Sequence, residues 1–419
     1  MPMPVRSLPT VQNWDCHQCG DCCRTYAVRV TAEEKDRILK QGWMSDPEFA
    51  GQEPLKLDKA TGEYTLNQTA DGACVFLGEK NLCRIHAKFG MAAKPFACRL
   101  YPFVLVPAGD HWKVSLRYAC PSVADNKGRG CSAHAPELAS LTGLVEADNP
   151  KAVGMEPPEL QAGQTVPWAD LGRFTKVFAK LVADTSHPIE RRLRQVAMLA
   201  DLCKKSRFDK VSGGRLDEFL TLVSAAAVDE VPADPFAVPR PSWVGRTLFR
   251  QQVGVYLRAD TGPHAGVGKR GAWARFAAGW RFGVGGRTVP RVHDFLPEGV
   301  RFAAADEPAG ELPKAADELL TRYFRVKLES GQFFGPSNFH RGYWDGLDSL
   351  LLVFPTVLWA ARVMAKGGTD RVEAVTKGVR MVDENFGYSK FLAGGRTLWS
   401  VRTMADRGEI ARLIAWYAR

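Results

Sequence analysis

The stretch Cys16-His-Gln-Cys-Gly-Asp-Cys-Cys23 places four thiols within eight residues, and nine of the ten cysteines lie between Cys16 and Cys131. Thiols crowded in this way are held by disulfides, by a closed zinc site or by an iron–sulfur cluster. Disulfides suit the chain poorly. Cys22 and Cys23 are adjacent, so a bond between them closes a small, strained ring. A chain of 419 residues with 45% hydrophobic residues also buries a core without cross-links. The start of the sequence, MPMPVRSLPTVQNWD, contains no apolar run ahead of a small-residue cleavage site. The expected compartment is therefore the cytoplasm, where thiols stay reduced.

Metal binding explains the spacing better. A Cys-x-x-Cys turn points two thiolates at one centre, and Gly20 lets the backbone turn sharply where a Cβ is expected to collide with a ligand. A second group follows: Cys74, Cys83, His86 and Cys98, then Cys120. One tetrahedral zinc needs four ligands, so Cys16, Cys19, Cys22, Cys23, Cys74, Cys83, Cys98 and Cys120 imply either two sites or one cluster with thiols to spare. The C-x2-C-x2-C run is shared with bacterial ferredoxins, but the next cysteine follows at once and no proline comes after it. The fourth ligand of a cluster is then expected from Cys74, Cys83 or Cys98. His86 stands as either an extra ligand or a surface histidine, Cys131 is a doubtful ligand, and Cys203 is expected to stand apart.

Taken in order, Cys16-x2-Cys19-Gly20-x-Cys22-Cys23, Cys74-Val-Phe-Leu77, Cys83-x-Ile85 and Pro95-x2-Cys98-Arg99-x-Tyr101-Pro102 resemble the zinc- or iron-chelating CxxCxxCC family of cysteine-cluster proteins. The chain departs from the family pattern at Lys94, where an arginine is usual, and at His86, where an aromatic is common. The family includes the flagellin lysine N-methylases, in which a cysteine-cluster domain precedes a long helical region. The segment Trp243-x3-Leu-Phe-Arg-Gln-Gln-x3-Tyr256 is distantly similar to their body. The resemblance implies a metal centre, zinc or a [4Fe-4S] cluster, and methyl transfer from S-adenosylmethionine to lysines of a protein such as flagellin. It assigns no catalytic residue. The alternative is a non-enzymatic interaction module stabilised by zinc.

The expected fold is mainly α with a small β component: a loop-rich cysteine-cluster domain over 1–146 with a β-hairpin, a linker over 147–166, and a helical domain over 167–419 that is subdivided near 231–241. Thr31-Ala-Glu-Glu34 is a capping box ahead of a short helix ending near Gly42. Phe103–Val106 and Trp112–Tyr118, flanking Pro107-Ala-Gly-Asp110, form the hairpin. Three- and four-residue apolar spacing places helices at Trp168–Val182, Ile189–Lys204, Arg215–Ala227, Trp243–Arg258, Ala315–Leu328, Leu347–Met364, Arg371–Phe386 and Arg407–Tyr417. Leu347–Met364 carries Asp348, Pro355 and Arg362, so it reads as a buried helix and no membrane span is expected.

The net charge of +10 is scattered, without a block of five or six basic residues, which argues against nucleic acid and suits an acidic partner. Neither Gly279–Arg287 nor Gly266-Val-Gly-Lys-Arg270 forms a nucleotide loop. Most of Trp168, Trp243, Trp273, Trp280, Trp344, Trp359, Trp399 and Trp416 are expected in the core. Asp383-Glu384-Asn385 reads as a solvated helix end, and Asp345 with Asp348 as helix N-terminal charges.

Overall fold

The computed structural model describes residues 1–419 apart from 50, 60 and 261–269, so the glycine-rich 266–269 stretch lies outside the described residues. The protein is 56% helical and 8% strand. Among the described residues, six short strands form two small sheets, both before residue 117. Strand β1 (Val5–Ser7) runs parallel to β6 (Trp112–Leu116), which pairs antiparallel with β5 (Phe103–Pro107) in the register Phe103 to Leu116. The second sheet, β2 (Arg29–Val30), β4 (Tyr64–Leu66) and β3 (Leu55–Leu57), is antiparallel throughout. The hairpin is thus the one expected from its turn residues, while β1 completes the sheet from far away in sequence.

Two hydrophobic cores organise the chain. The smaller gathers Val30, Ile38, Trp43, Phe49, Leu55, Leu66, Cys74, Val75, Phe76 and Ile85. Its centre is a ring cluster in which Trp43 and Phe76 lie 5.1 Å apart and Phe49 and Phe76 5.3 Å apart. The larger joins Met3, the hairpin and the Ala135–Asp148 helix to the helical body. The hairpin therefore belongs to the core of the body. Segment 147–166 is strapped to it as well: Leu160 is buried, and the amides of Tyr343 and Trp344 donate to the carbonyls of Glu159 and Leu160 at 2.8 and 3.2 Å.

At the centre of the body stands the stretch Tyr343–Lys366, long and apolar enough by length and composition to cross a membrane, and its most apolar window is buried inside the protein. It breaks into helices Tyr343–Leu351 and Val353–Lys366. Pro355 explains the break: it has no N–H to offer the carbonyl of Leu351, and its ring crowds that carbonyl. The second half packs against helix Arg371–Asn385 at Gly378, where a Cβ would stand 3.0 Å from the carbonyl oxygen of Val357. Asp348 is buried against Lys204 (2.7 Å) and Asp345 pairs with Arg402 (2.6 Å); only Asp345 stands in the first turn, so Asp348 serves a tertiary ion pair and not the helix start.

Most expected helices are present within a few residues, and Ile189–Lys204 is observed with those same ends. Ala135–Asp148, Ala272–Val284, Phe302–Asp306 and Gly395–Asp406 have no counterpart in the periodicity reading. Ala272–Val284 contains Gly279, Gly283 and four aromatic rings, residue types with weak helix preference. Half of the eight tryptophans correct the expected core placement: Trp344 and Trp359 are buried, but Trp243, Trp273, Trp280 and Trp399 are 60–85% exposed.

Candidate metal centre

The Cys16–Cys23 loop ends in a short helix, Asp21–Thr25, that begins directly after Gly20 at φ 72°. A Cβ at Gly20 would run into the Arg24 guanidinium and approach the Asn81 side chain. The helix turns Cys22 and Cys23 inward. Cys74 opens a tight turn whose Leu77 amide donates to its carbonyl at 2.9 Å, and its own amide donates to the carbonyl of Cys23 at 2.8 Å. Cys83 precedes helix Arg84–Phe89, and Cys98 lies on helix Phe96–Leu100.

The capping box ties these pieces together. Thr31 and Glu34 exchange their hydrogen bonds (3.0 and 3.2 Å), as expected. The second oxygen of Glu34 accepts from the Phe96 amide at 2.6 Å, so one buried carboxylate also caps the helix that carries Cys98.

Five cysteines, Cys22, Cys23, Cys74, Cys83 and Cys98, line one cavity of about 250 Å³, walled by Phe76, Ile85, Tyr26 and Tyr101. Contact with Cys23, then burial, pushes the Cys22 thiol up; burial pushes Cys74 up to about 12 and also raises Cys98. Lys94, which lines the cavity, opposes all three shifts. An apolar cavity with so little positive charge leaves these thiols protonated, whereas a metal ion ionises coordinating thiols outright.

Cys16 and Cys19 are exposed and lie outside this cavity. Their loop is laced to the segment after Cys120: Trp14 N–H donates to Arg129 (2.8 Å), Asp15 N–H to Lys127 (3.0 Å), and the Asp15 carboxylate receives the Arg129 guanidinium. This brings buried Cys120 near enough to Cys19 for their ionised forms to repel, and Cys19 stands in the same relation to Cys16 and Cys22. Three sulfurs share a further feature. The amide two residues on is aimed at each: Asp21 at Cys19, Phe76 at Cys74 and Ser122 at Cys120. Such amides stabilise sulfur charge. Among the described residues, no three His, Cys, Asp or Glu groups meet closely enough to form a finished metal cage. The thiols line the space without converging on one point.

His86 is exposed and does not line the cavity; Cys131 and Cys203 are buried in the larger core.

Behind the cavity lies a buried polar junction that periodicity did not reveal. Tyr26 receives the Arg117 guanidinium at 3.2 Å; Arg117 stacks over Tyr388, 3.6 Å from the ring centroid, and approaches Asp383 at 3.6 Å. Asp383 pairs with Lys327 at 2.6 Å, and neither side chain has any exposed surface. Lys327 also donates to the Leu116 carbonyl and to Gln332. Burial pulls its pKa down and Asp383 opposes the shift. Asp383 is thus no solvated helix end. Its signal was a charge on an apolar helix face, between Val379 and Phe386; Lys327 likewise follows Tyr323 and Phe324.

Residues 15–121 match the CxxCxxCC family, described as "Putative zinc- or iron-chelating domain", so this quarter of the chain is such a domain and carries the metal-binding assignment. An uncharacterized protein of Methanocaldococcus jannaschii is 29% identical over 104 residues, 25% of this chain and 34% of that protein. The matching part thus spans about a third of the relative's length. No solved structure matches the chain.

Proposed function

We propose that this protein holds an iron–sulfur centre, with Cys22, Cys23, Cys74, Cys83 and Cys98 as the thiols that bind it and Cys16, Cys19 and Cys120 as an adjoining group. The observation that carries this reading is five thiols around a single cavity of about 250 Å³. A structural zinc site is closed by four ligands and keeps no spare room. On the same measure of volume a single water needs only roughly 10–15 Å³, so the cavity suits a centre of several atoms. Bound there, such a centre would supply electron transfer or an open iron position. Phe76, Ile85 and the two tyrosines exclude water, and Lys94 offsets part of the sulfur charge. Ten free cysteines also favour a reducing compartment such as the cytoplasm.

Anaerobic purification with metal and acid-labile sulfide analysis tests the reading. Iron with sulfide is the expected result. Stoichiometric zinc without sulfide would replace it with the zinc-stabilised interaction module, and neither metal would end it.

The second reading is methyl transfer from S-adenosylmethionine to lysines of a protein such as flagellin. It is supported by the resemblance and by the order of a cysteine unit followed by a helical body. The metal-loaded protein should then bind S-adenosylmethionine and raise the mass of flagellin. Absence of both effects, with metal present, would leave the centre without this activity.

A further inference from the structure

Helix Ala272–Val284 turns its apolar side chains outward. Trp273, Phe276, Trp280 and Val284 are 85%, 65%, 67% and 60% exposed, and their spacing of three, four and four residues sets them along one side of the helix. The opposite side, Ala278 and Phe282, is buried: Phe282 packs over Gly254 and lies 5.4 Å from the Phe302 ring. The helix is therefore anchored, and its aromatic stripe is not a core face awaiting a neighbour from its own chain among the described residues.

Charge gives the stripe its character. From 270 to 293 the sequence has no Asp or Glu, but it has Arg270, Arg275, Arg281, Arg287 and Arg291. Beside the stripe, Arg270, Ala274, Ala277, Arg281 and Arg291 line a cleft of about 420 Å³. Arg281 is bound to Thr288, and Arg291 reaches Glu298 at 3.4 Å. Among the described residues, Arg270 and Arg275 pair with no carboxylate.

We propose that this helix and its arginine cleft dock the protein on an anionic lipid surface, the rings entering the interfacial layer and the guanidinium groups meeting lipid phosphates. Tryptophan and phenylalanine on one side with arginine alongside is the composition of helices that lie in a membrane interface. A protein partner fits less well. At roughly 150–250 Å² per large ring, the stripe offers on the order of 500 Å², below the ~800 Å² per partner of a stable interface. Single-stranded nucleic acid, which is also held by basic side chains and stacked rings, is the competing outcome of the test. The inference is independent of the metal centre.

The test uses the full chain with vesicles of phosphatidylcholine alone and of phosphatidylcholine with phosphatidylglycerol in equal amounts. Sedimentation with the anionic vesicles only, together with quenching of tryptophan fluorescence by brominated lipid, is expected. Trp273→Ala with Trp280→Ala should lower partitioning at least about tenfold, and Arg270→Gln about fivefold, with the thermal melt unchanged. The proposal is overturned by the wild-type protein failing to sediment with either vesicle, or by sedimentation without quenching. It is equally overturned if the tryptophans instead sustain a dimer or the binding of a single-stranded oligonucleotide.

Discussion

The two cores solve the same problem with different means. The larger one buries whole helices such as Val353–Lys366, and each fully buried aliphatic or aromatic side chain contributes about 1.5–3 kcal/mol. The smaller one has ten buried residues among those described, spread over short strands and single helical turns from Val30 to Ile85. A unit with so little apolar interior commonly needs a metal or another staple. We propose that the stretch from Cys16 to Tyr101 is such a unit, and that the body begins with β5. The lesson is that cysteine density and core membership divide this chain at different places: Cys120 and Cys131 share the body's core while Cys74 belongs to the small one.

The sharpest way to break this comparison is to remove the metal. Structural metal sites contribute on the order of 10–16 kcal/mol to small domains, so chelation, or Cys98→Ser, should unfold the Cys16–Tyr101 unit while the body keeps its melt. Limited proteolysis coupled to mass spectrometry checks this. Cleavage of both regions together would show that there is one cooperative unit.

Next in size is the junction. Lys327→Met strands Asp383 in the larger core and should cost about 3–5 kcal/mol in denaturant unfolding, with Asp383→Asn in the same chain recovering part of it. A loss below about 1 kcal/mol would show that Arg117 alone satisfies the carboxylate.

A pH effect confined to the body is smaller. Burial pushes the Asp348 carboxyl up to about 6 although Lys204 opposes the shift. The unfolded carboxyl titrates near 3.9. Between those values the folded state holds a proton that the unfolded state has lost, so this stability is full below the lower value and lost as pH rises through about 6. Relative to Asp348→Asn, the wild-type body should gain about 1.4 kcal/mol from pH 7 to pH 5. A flat difference would refute the shifted carboxyl.

The smallest effect belongs to the small unit. Thr31→Ala removes one bond of the capping box and should cost about 1 kcal/mol. Glu34→Ala should cost more, because it also frees the Phe96 amide. Hydrogen exchange of amides 32–40 and 96–100 would separate the two; equal effects would mean that the second cap contributes nothing.

The linear chain determined a good deal on its own. Cysteine spacing marked the metal-binding region, the capping box and hairpin turn followed from hydrogen bonds between near neighbours, and apolar periodicity placed most of the helices, because these signals are local. Only the tertiary structure decided which thiols share a cavity. Cys22, Cys23, Cys74, Cys83 and Cys98 meet because Cys74 pairs its amide with Cys23 and Glu34 caps the Cys98 helix, long-range bonds that spacing does not encode. The same holds for Lys327 and Asp383, whose burial requires each other and Arg117. It holds again for Trp273 and Trp280: periodicity defines a helix face, but whether that face meets a core or solvent depends on what packs on the opposite side, here Gly254 against Phe282.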